Sequence, residues 1–424
     1  MITTGIDQHC ADNLPRAKEF FLARQPILNS KENLVAYELL FRHAMAGPAN
    51  VVDDLSATAS VIAHASELGI VNVIGGALGF FNVDAAVLMC DFVNFLPNDK
   101  VVLEILETVE ATPELVARVS ELAAQGYTFA LDDVTCCSEA LQQLLPLVKI
   151  IKIDITGMDE QKLTTLALHF KSAGKLLLAE KVETIEQFRI CMDLGFHYFQ
   201  GYYFARPVIL SGKKLAPSQV IIMELMAMIV ADAENTEIES GIKKDASLVL
   251  TLLRLANSPG AGMLQRIDSL SQALAVLGRR QLQRWLQIML YADSERGHLT
   301  SPLLQLASTR GKLLELITEK LHPGERTMAD IAFTVGIMSL MDTLFGQSMK
   351  EILEQVSVVD DVGDALLYRK GFYGDLLKLA EYIERIEQTG ALLIPTLRKL
   401  GLSIEDLYEL QLNAFEWSNH LSAA

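Results

Sequence analysis

From about Phe20 to Pro207, short β-type runs alternate with amphipathic stretches of helical period, and this alternation limits the fold more than any other feature of the chain. The runs are Phe20–Leu28, Leu34–Arg42, Leu78–Val83, Val101–Ile105, Tyr127–Leu131, Lys149–Ile155, Leu176–Ala179 and Tyr198–Tyr203. Between most of them lie stretches with apolar residues at helical spacing, such as Leu55–Leu68 and Pro113–Gln125. About eight strands alternating with helices predict a closed, TIM-like (β/α) barrel. An open doubly wound sheet is the alternative, but it usually carries a glycine-rich phosphate turn after its first strand, and none stands there. Gly260 and Gly262 begin such a pattern, yet Gln265 occupies the place of the third glycine.

The segment Arg206–Pro217 holds two prolines, Gly212 and two lysines, and reads as a linker. Beyond it the pattern is almost wholly helical. Ala246–Ala256, Ser269–Leu277, Leu303–Leu321, Met328–Leu344 and Asp375–Glu387 repeat apolar residues at spacings of 3, 4 and 7. The expected division is a barrel over residues 15–207 and an all-α domain over residues 208–424.

Charge narrows the range of partners. The 424 residues include 36 basic and 53 acidic ones, a formal charge of -17. Such a surface repels DNA and anionic membranes, while a small phosphate ligand remains compatible if a metal inverts the local field. Half the residues are hydrophobic, which excludes a mainly disordered chain and implies large buried faces, a domain or subunit interface among them. The five cysteines, Cys10, Cys90, Cys136, Cys137 and Cys191, are odd in number and form no Cys-x-x-Cys pair, so a reducing compartment is expected rather than a disulfide framework. Asp7 and Asp12 interrupt the N-terminus, so no signal peptide is expected. The apolar stretch Val220–Ala231 contains Glu224 and is too short to span a bilayer. A cytoplasmic location without a membrane span is the expectation.

The chemistry lies at the strand ends. Glu38 stands within Ala36–Leu40, Asn82 ends Phe80–Asn82, and Glu104 ends Val101–Glu104. Asp132 and Asp133 follow Phe129–Leu131, while Lys152 and Asp154 alternate with isoleucines in Ile151–Ile155. Glu180 and Glu183 follow Leu176–Ala179, and Gln200 ends the last run. In a barrel these ends converge on one rim, the usual seat of the active site. Carboxylates crowded there raise one another's pKa, and a divalent cation relieves the repulsion. An all-oxygen set selects Mg²⁺, Mn²⁺ or Ca²⁺ over zinc. Two such ions could hold a phosphodiester and generate hydroxide for in-line attack. The plainer reading treats each acid as a cap or surface residue and Lys152 with Asp154 as a structural ion pair.

These residues resemble the motifs of the EAL domain family. Glu38-Leu39-Leu40-Phe41-Arg42 is similar to its Glu-Ala-Leu-x-Arg segment, with Leu39 in place of alanine, and Gln25-Pro26-Ile27 resembles its opening strand. Glu104-Ile105-Leu106-Glu107, Lys152-Ile153-Asp154, Ala179-Glu180-Lys181-Val182-Glu183-Thr184 and Gln200-Gly201-Tyr202 with Pro207 follow in the family's order. The resemblance implies a (β/α) barrel that linearises cyclic di-GMP. It implies metal ligands at Glu38, Asn82, Glu104, Asp132, Asp133 and Glu180, with Mg²⁺ or Mn²⁺ as cofactor and Ca²⁺ as inhibitor. Lys152 would orient or deprotonate the attacking water, with Glu183 and Gln200 in support. Arg42 would pair with a phosphate, and Gln25 would lie near a guanine.

The chain departs from the family at two further places. Val134-Thr135-Cys136-Cys137-Ser138 stands where active members carry Phe-Gly-Thr-Gly, and without those glycines positive φ is harder to reach. Lys181 replaces a glycine and places a cation beside Glu180. The adjacent Cys136 and Cys137 are expected as ordinary thiols, since a vicinal disulfide is awkward to close.

The second half resembles the HDOD module through Asp245, Leu253–Pro259 and Ala273–Gly278. Relatives that hydrolyse phosphate esters need an adjacent His-Asp pair. No such dipeptide occurs here; His298, His322 and His420 are far apart, and Gly336–Leu340 offers no ligand. The expectation is a non-catalytic module that engages an unidentified protein partner, with a homodimer left open. For the whole chain the reading is a bacterial cyclic di-GMP signalling protein, either binding and hydrolysing the dinucleotide or acting as a scaffold that no longer binds it.

Overall fold

A computed structural model describes residues 20–43, 70–136 apart from 91, 92 and 95, 139–205, 217–252 apart from 246, 247, 250 and 251, 270–291, 301–355 and 358–423. The stretch Leu55–Leu68, Cys137 and Leu253–Pro259 lie outside them. The chain folds as two units, each packed chiefly on itself. The first runs to Tyr203 and also includes Tyr382–Tyr408; the second comprises Phe204–Glu381 and Glu409–Ala424.

Eight strands close into a barrel in sequence order: β1 (Phe20–Asn29), β2 (Leu34–His43), β3 (Leu78–Val83), β4 (Val101–Ile105), β5 (Thr128–Leu131), β6 (Ile150–Asp154), β7 (Leu176–Glu180) and β8 (Tyr198–Gln200). Neighbours from β2 to β8 pair in parallel. Strand β1 instead runs antiparallel to both β2 and β8. The cause is local. Only four residues separate β1 from β2, too few for the crossover of a dozen or more residues that a parallel pair requires. The side chain of Asn29 accepts from the amides of Lys31 (2.9 Å) and Asn33 (3.1 Å), and Glu32 takes a left-handed φ of 58°, which together close the hairpin.

The helices between the parallel strands begin as the sequence prescribes. Thr112 caps Pro113–Ala124, Asp159 caps Glu160–Ser172, and Thr184 forms a capping box with Gln187 at Ile185–Leu194.

Strand side chains alternate between two faces. The inward set forms an apolar layer of Ile27, Ala36, Phe80, Val102, Ala130, Ile150 and Leu178, against which Tyr198 packs. Two residues further along the parallel strands stand Glu38, Asn82, Glu104, Asp132, Lys152, Glu180 and Gln200. Because β1 is antiparallel, its matching residue is Gln25, two places before Ile27. A dry floor thus lies directly beneath a polar layer.

The second unit is helical throughout its described residues. Its helices include Pro217–Val230, Asn235–Ile242, Leu270–Met289, Pro302–Leu321, Arg326–Met338, Asp360–Tyr368 and Gly371–Glu384, the last ending in the first unit. Helices Pro302–Leu321 and Arg326–Met338 touch backbone to backbone: a Cβ on Gly336 would stand 2.5 Å from Gly311 N. Leu270–Met289 bends at Gly278, whose φ is 67°. Among the described residues one stretch, Arg326–Phe345, is long and apolar enough for a membrane span, and most of it is buried inside the fold.

Candidate active site at the barrel mouth

The polar layer centres on Lys152, which is fully buried. Its Nζ lies 2.7 Å from Asp132 Oδ1, 2.8 Å from Glu104 Oε1, 2.9 Å from Glu180 Oε1 and 3.3 Å from Glu38 Oε2. An ammonium has three donors, so four carboxylates exceed its capacity. They also exceed its charge.

The titration of the cluster follows from that excess. Burial would lower the pKa of Lys152, but Asp132, Glu104, Glu180 and Glu38 outweigh it and hold the amine well above its ordinary value. Burial, reinforced by the charge of Glu38, pushes Glu104 well up against the pull of Lys152. Burial also raises Glu180, which Lys152 only partly offsets and Asp132 and Glu38 reinforce. Glu38 goes the other way. Burial opposes its ionisation, yet Lys152 and hydrogen bonds from Gln200 and Asn82 lower it.

Those hydrogen bonds tie three more strands to the cluster. Asn82 Nδ2 donates to Glu38 Oε1 at 3.0 Å. Gln200 Nε2 donates to Glu38 Oε2 at 2.6 Å and to Gln25 Oε1 at 2.8 Å. Among the described residues, Asn82 Oδ1, Glu104 Oε2, Glu180 Oε2 and Gln200 Oε1 are buried acceptors without a hydrogen-bond partner. Unpaired buried acceptors are costly. A hard cation would satisfy both these oxygens and the excess negative charge, so the donor set fits one.

The remaining sequence candidates lie farther out. Asp133 joins Asp132 and Glu107 in a second group, with one oxygen from each within 4.8 Å of the others. Glu107 was legible only as part of the Glu-Ile-Leu-Glu motif and was not singled out from sequence. Glu183 is exposed on the rim, where its amide donates to Gln187 Oε1 at the start of the next helix. Arg42 pairs with Phe21 in the β1–β2 register, and its side chain is outside the described residues. A cavity of ≈ 190 Å³ opens on the cluster, bordered by Gln25, Glu38, Glu180, Glu183 and Gln200.

Lys152 and Asp154 do not form the ion pair that their spacing allowed; Lys152 turns into the carboxylate ring, and Asp154 receives Lys181 at 2.6 Å. Lys181 holds a left-handed φ of 55° at the position where the family carries glycine, and Asp133 holds φ 45°. The chain therefore reaches positive φ at these two bends without glycine.

The EAL domain model matches residues 86–207 and the HDOD domain model residues 215–358. The EAL match begins after Asn82, yet β1, β2 and β3 complete the same barrel and supply Gln25, Glu38 and Asn82. The uncharacterized protein YuxH of Bacillus subtilis is 32% identical over 414 residues, covering 95% of this chain and 99% of that protein. The cyclic di-GMP phosphodiesterase CdgJ of Vibrio cholerae is 31% identical over 409 residues, covering 95% and 93%. Among solved structures, the PaMucR phosphodiesterase in complex with c-di-GMP aligns at 18% identity and a TM-score of 0.39, over 44% of this chain and 96% of that one. With full-length relatives above 30% identity and both domain models in order, the chain belongs to the family of signalling proteins that join an EAL domain to an HDOD domain.

Proposed function

We propose that the barrel domain, residues 15–207, binds cyclic di-GMP with Mg²⁺ or Mn²⁺ and hydrolyses it slowly to the linear dinucleotide, Ca²⁺ acting as an inhibitor. The observation that carries this reading is the ring of four carboxylates around Lys152, with unpartnered acceptors on Asn82, Glu104, Glu180 and Gln200. The whole-length similarity to a Vibrio cholerae protein named a cyclic di-GMP phosphodiesterase supports the choice of substrate.

Glu38, Asn82, Glu104, Asp132, Asp133 and Glu180 would hold the cations. Bound there, divalent ions supply charge stabilisation for a phosphodiester and acidify a water. Once cations took up some of those acids, Lys152, kept protonated by the rest, would have a donor free to orient the attacking water. Gln200 fixes Glu38 and Gln25 together, and Glu183 borders the mouth. Gln25 meets a guanine edge, and the planar fork of Arg42 takes a phosphate. Slow turnover is the expectation because Val134–Cys136 and Lys181 alter the loops that hold the ligands.

The helical domain, residues 208–424, works as a regulatory module that recognises a protein partner and carries no catalytic metal. The protein acts in the cytoplasm.

Calorimetry with cyclic di-GMP and Mn²⁺ or Mg²⁺, followed by chromatography of the products, tests the reading. Glu38→Ala should abolish hydrolysis and weaken metal-dependent binding. Glu160→Ala, exposed in the first turn of Glu160–Ser172, should change neither. Absence of binding with both ions at high micromolar dinucleotide would favour the scaffold reading instead.

A further inference from the structure

Arg385, Glu387 and Gln388 border the same cavity as Gln25, Glu180 and Gln200, although almost two hundred residues separate them from the last barrel strand. They lie within Tyr382–Tyr408, which belongs to the same compact unit as the barrel. Contacts to Tyr202 fasten the segment at the rim. The hydroxyl of Tyr202 donates to the carbonyl of Glu384. The guanidinium of Arg385 lies 5.0 Å from the centroid of the Tyr202 ring, within cation–π range. Tyr202 itself follows Gly201, which packs against the Val182 backbone so closely that a Cβ there would meet Val182 O at 2.1 Å.

Beyond Arg385 the chain makes a single turn, Ile386–Thr389, and buries Ile386. Glu387 remains exposed but stands near enough to Glu38 and Asp132 to feel their charge, along with that of Lys181 and Lys152. Between this turn and the barrel rim, ≈ 190 Å³ is left. Pockets that enclose drug-sized ligands have roughly 300–1,000 Å³, and a cyclic dinucleotide is at least that large. It also carries two phosphodiester anions, and Glu387 adds a negative charge at the mouth that would receive them.

We propose that Arg385–Gln388 is an autoinhibitory strap across the barrel mouth, which must move aside before a cyclic dinucleotide can seat. What the strap excludes rests on the function proposed above; that it covers the mouth does not. A ligand that binds only the uncovered state shows an affinity reduced by the fraction uncovered. If that fraction is one in ten, the strap weakens binding about tenfold.

The test uses the full chain and a triple variant, Arg385→Ala with Glu387→Ala and Gln388→Ala, all three exposed positions. For the labelling arm only, each is also made with Gln25→Cys, which places a thiol on the half-buried part of the cavity wall. The first readout is the rate at which a bulky maleimide dye labels that thiol above the background of the parent. The second is the calorimetric Kd of cyclic di-GMP with Ca²⁺. The strap predicts labelling and binding each stronger by about tenfold in the triple variant. Equal labelling rates overturn it, whatever the affinities. Faster labelling with weaker dinucleotide binding also overturns it, since the removed side chains would then be ligand contacts. Faster labelling with no dinucleotide binding by either protein supports the strap and refutes the dinucleotide reading.

Discussion

Lys181 Nζ stands 2.6 Å from Asp154 Oδ2, and the pair bridges the ends of β6 and β7, where Asp154 and Glu180 are register partners. The Lys181 hydrogen bond keeps the Asp154 carboxyl below its usual range against the opposing effect of burial. The lysine also bears a backbone penalty, since a side chain at φ 55° costs about 1–2 kcal/mol. The pair offsets little of that, because Lys181 is nearly half exposed and such pairs contribute about 0–1 kcal/mol. Lys181→Ala loses the pair and keeps the strain; Lys181→Gly loses both. The glycine variant should therefore be the more stable of the two by about 1 kcal/mol, the reverse of the usual order. Urea unfolding of both variants checks this, and an alanine variant that equals the glycine one would refute the strain.

Metal should matter most where Lys152 is missing. The amine is the one cation within the carboxylate ring among the described residues. Removing one partner of a buried ionic cluster costs about 3–5 kcal/mol. Lys152→Met should accordingly melt well below the wild type in EDTA. Mn²⁺ at a hundredfold excess over its Kd should restore about 2.7 kcal/mol. At that same Mn²⁺ concentration the wild type should gain less, since its Lys152 competes for the same oxygens and raises the Kd. Thermal melts with EDTA and with Mn²⁺ decide the matter; no metal response in either protein counts against a cation site.

Gly201 should tolerate no side chain. Its φ is +145°, and a Cβ would lie 2.1 Å from Val182 O and 2.5 Å from Val182 N. The obstruction is backbone that itself bonds to the Gln200 carbonyl at 2.9 Å, so it cannot yield without moving Gln200. Gly201→Ala should destabilise the barrel by about 2 kcal/mol or more. It should also weaken metal-dependent binding, because Gln200 anchors Glu38. A melt unchanged within error, together with unchanged binding, would contradict this.

Much of the site was legible because strands alternate strictly between two faces. Ala36 and Glu38, Val102 and Glu104, Ala130 and Asp132, and Leu178 and Glu180 each place a polar group two residues beyond an inward apolar one. Once the barrel closes, that period alone brings the acids to one mouth. What stayed hidden depends on tertiary direction. The spacing of Lys152 and Asp154 set them on one face, but not which acids surround the amine. The antiparallel course of β1 follows from a connection too short to cross over, a signal present in the sequence that the alternation pattern masked. The approach of Arg385 and Glu387 to the mouth had no local signature, since it arises from packing between segments far apart in the chain.

In the helical unit, acid should act through Glu315. Its side chain is only 3% exposed, paired with Arg284 and, at 2.9 Å, with Lys312. Burial alone would raise its pKa; the charges and hydrogen bonds of Arg284 and Lys312 prevail and lower it. A carboxyl whose folded-state pKa lies below its unfolded value contributes stability that is fully present above the unfolded pKa. That contribution disappears as pH falls through the folded pKa. Glu315→Gln lacks it at every pH. The stability difference between wild type and variant should therefore be constant above about pH 5 and shrink steadily on further acidification. Urea midpoints measured from about pH 6 down to about pH 3 give that difference directly, and a difference that stays level across this range would mean that Glu315 is not held ionised by its two partners.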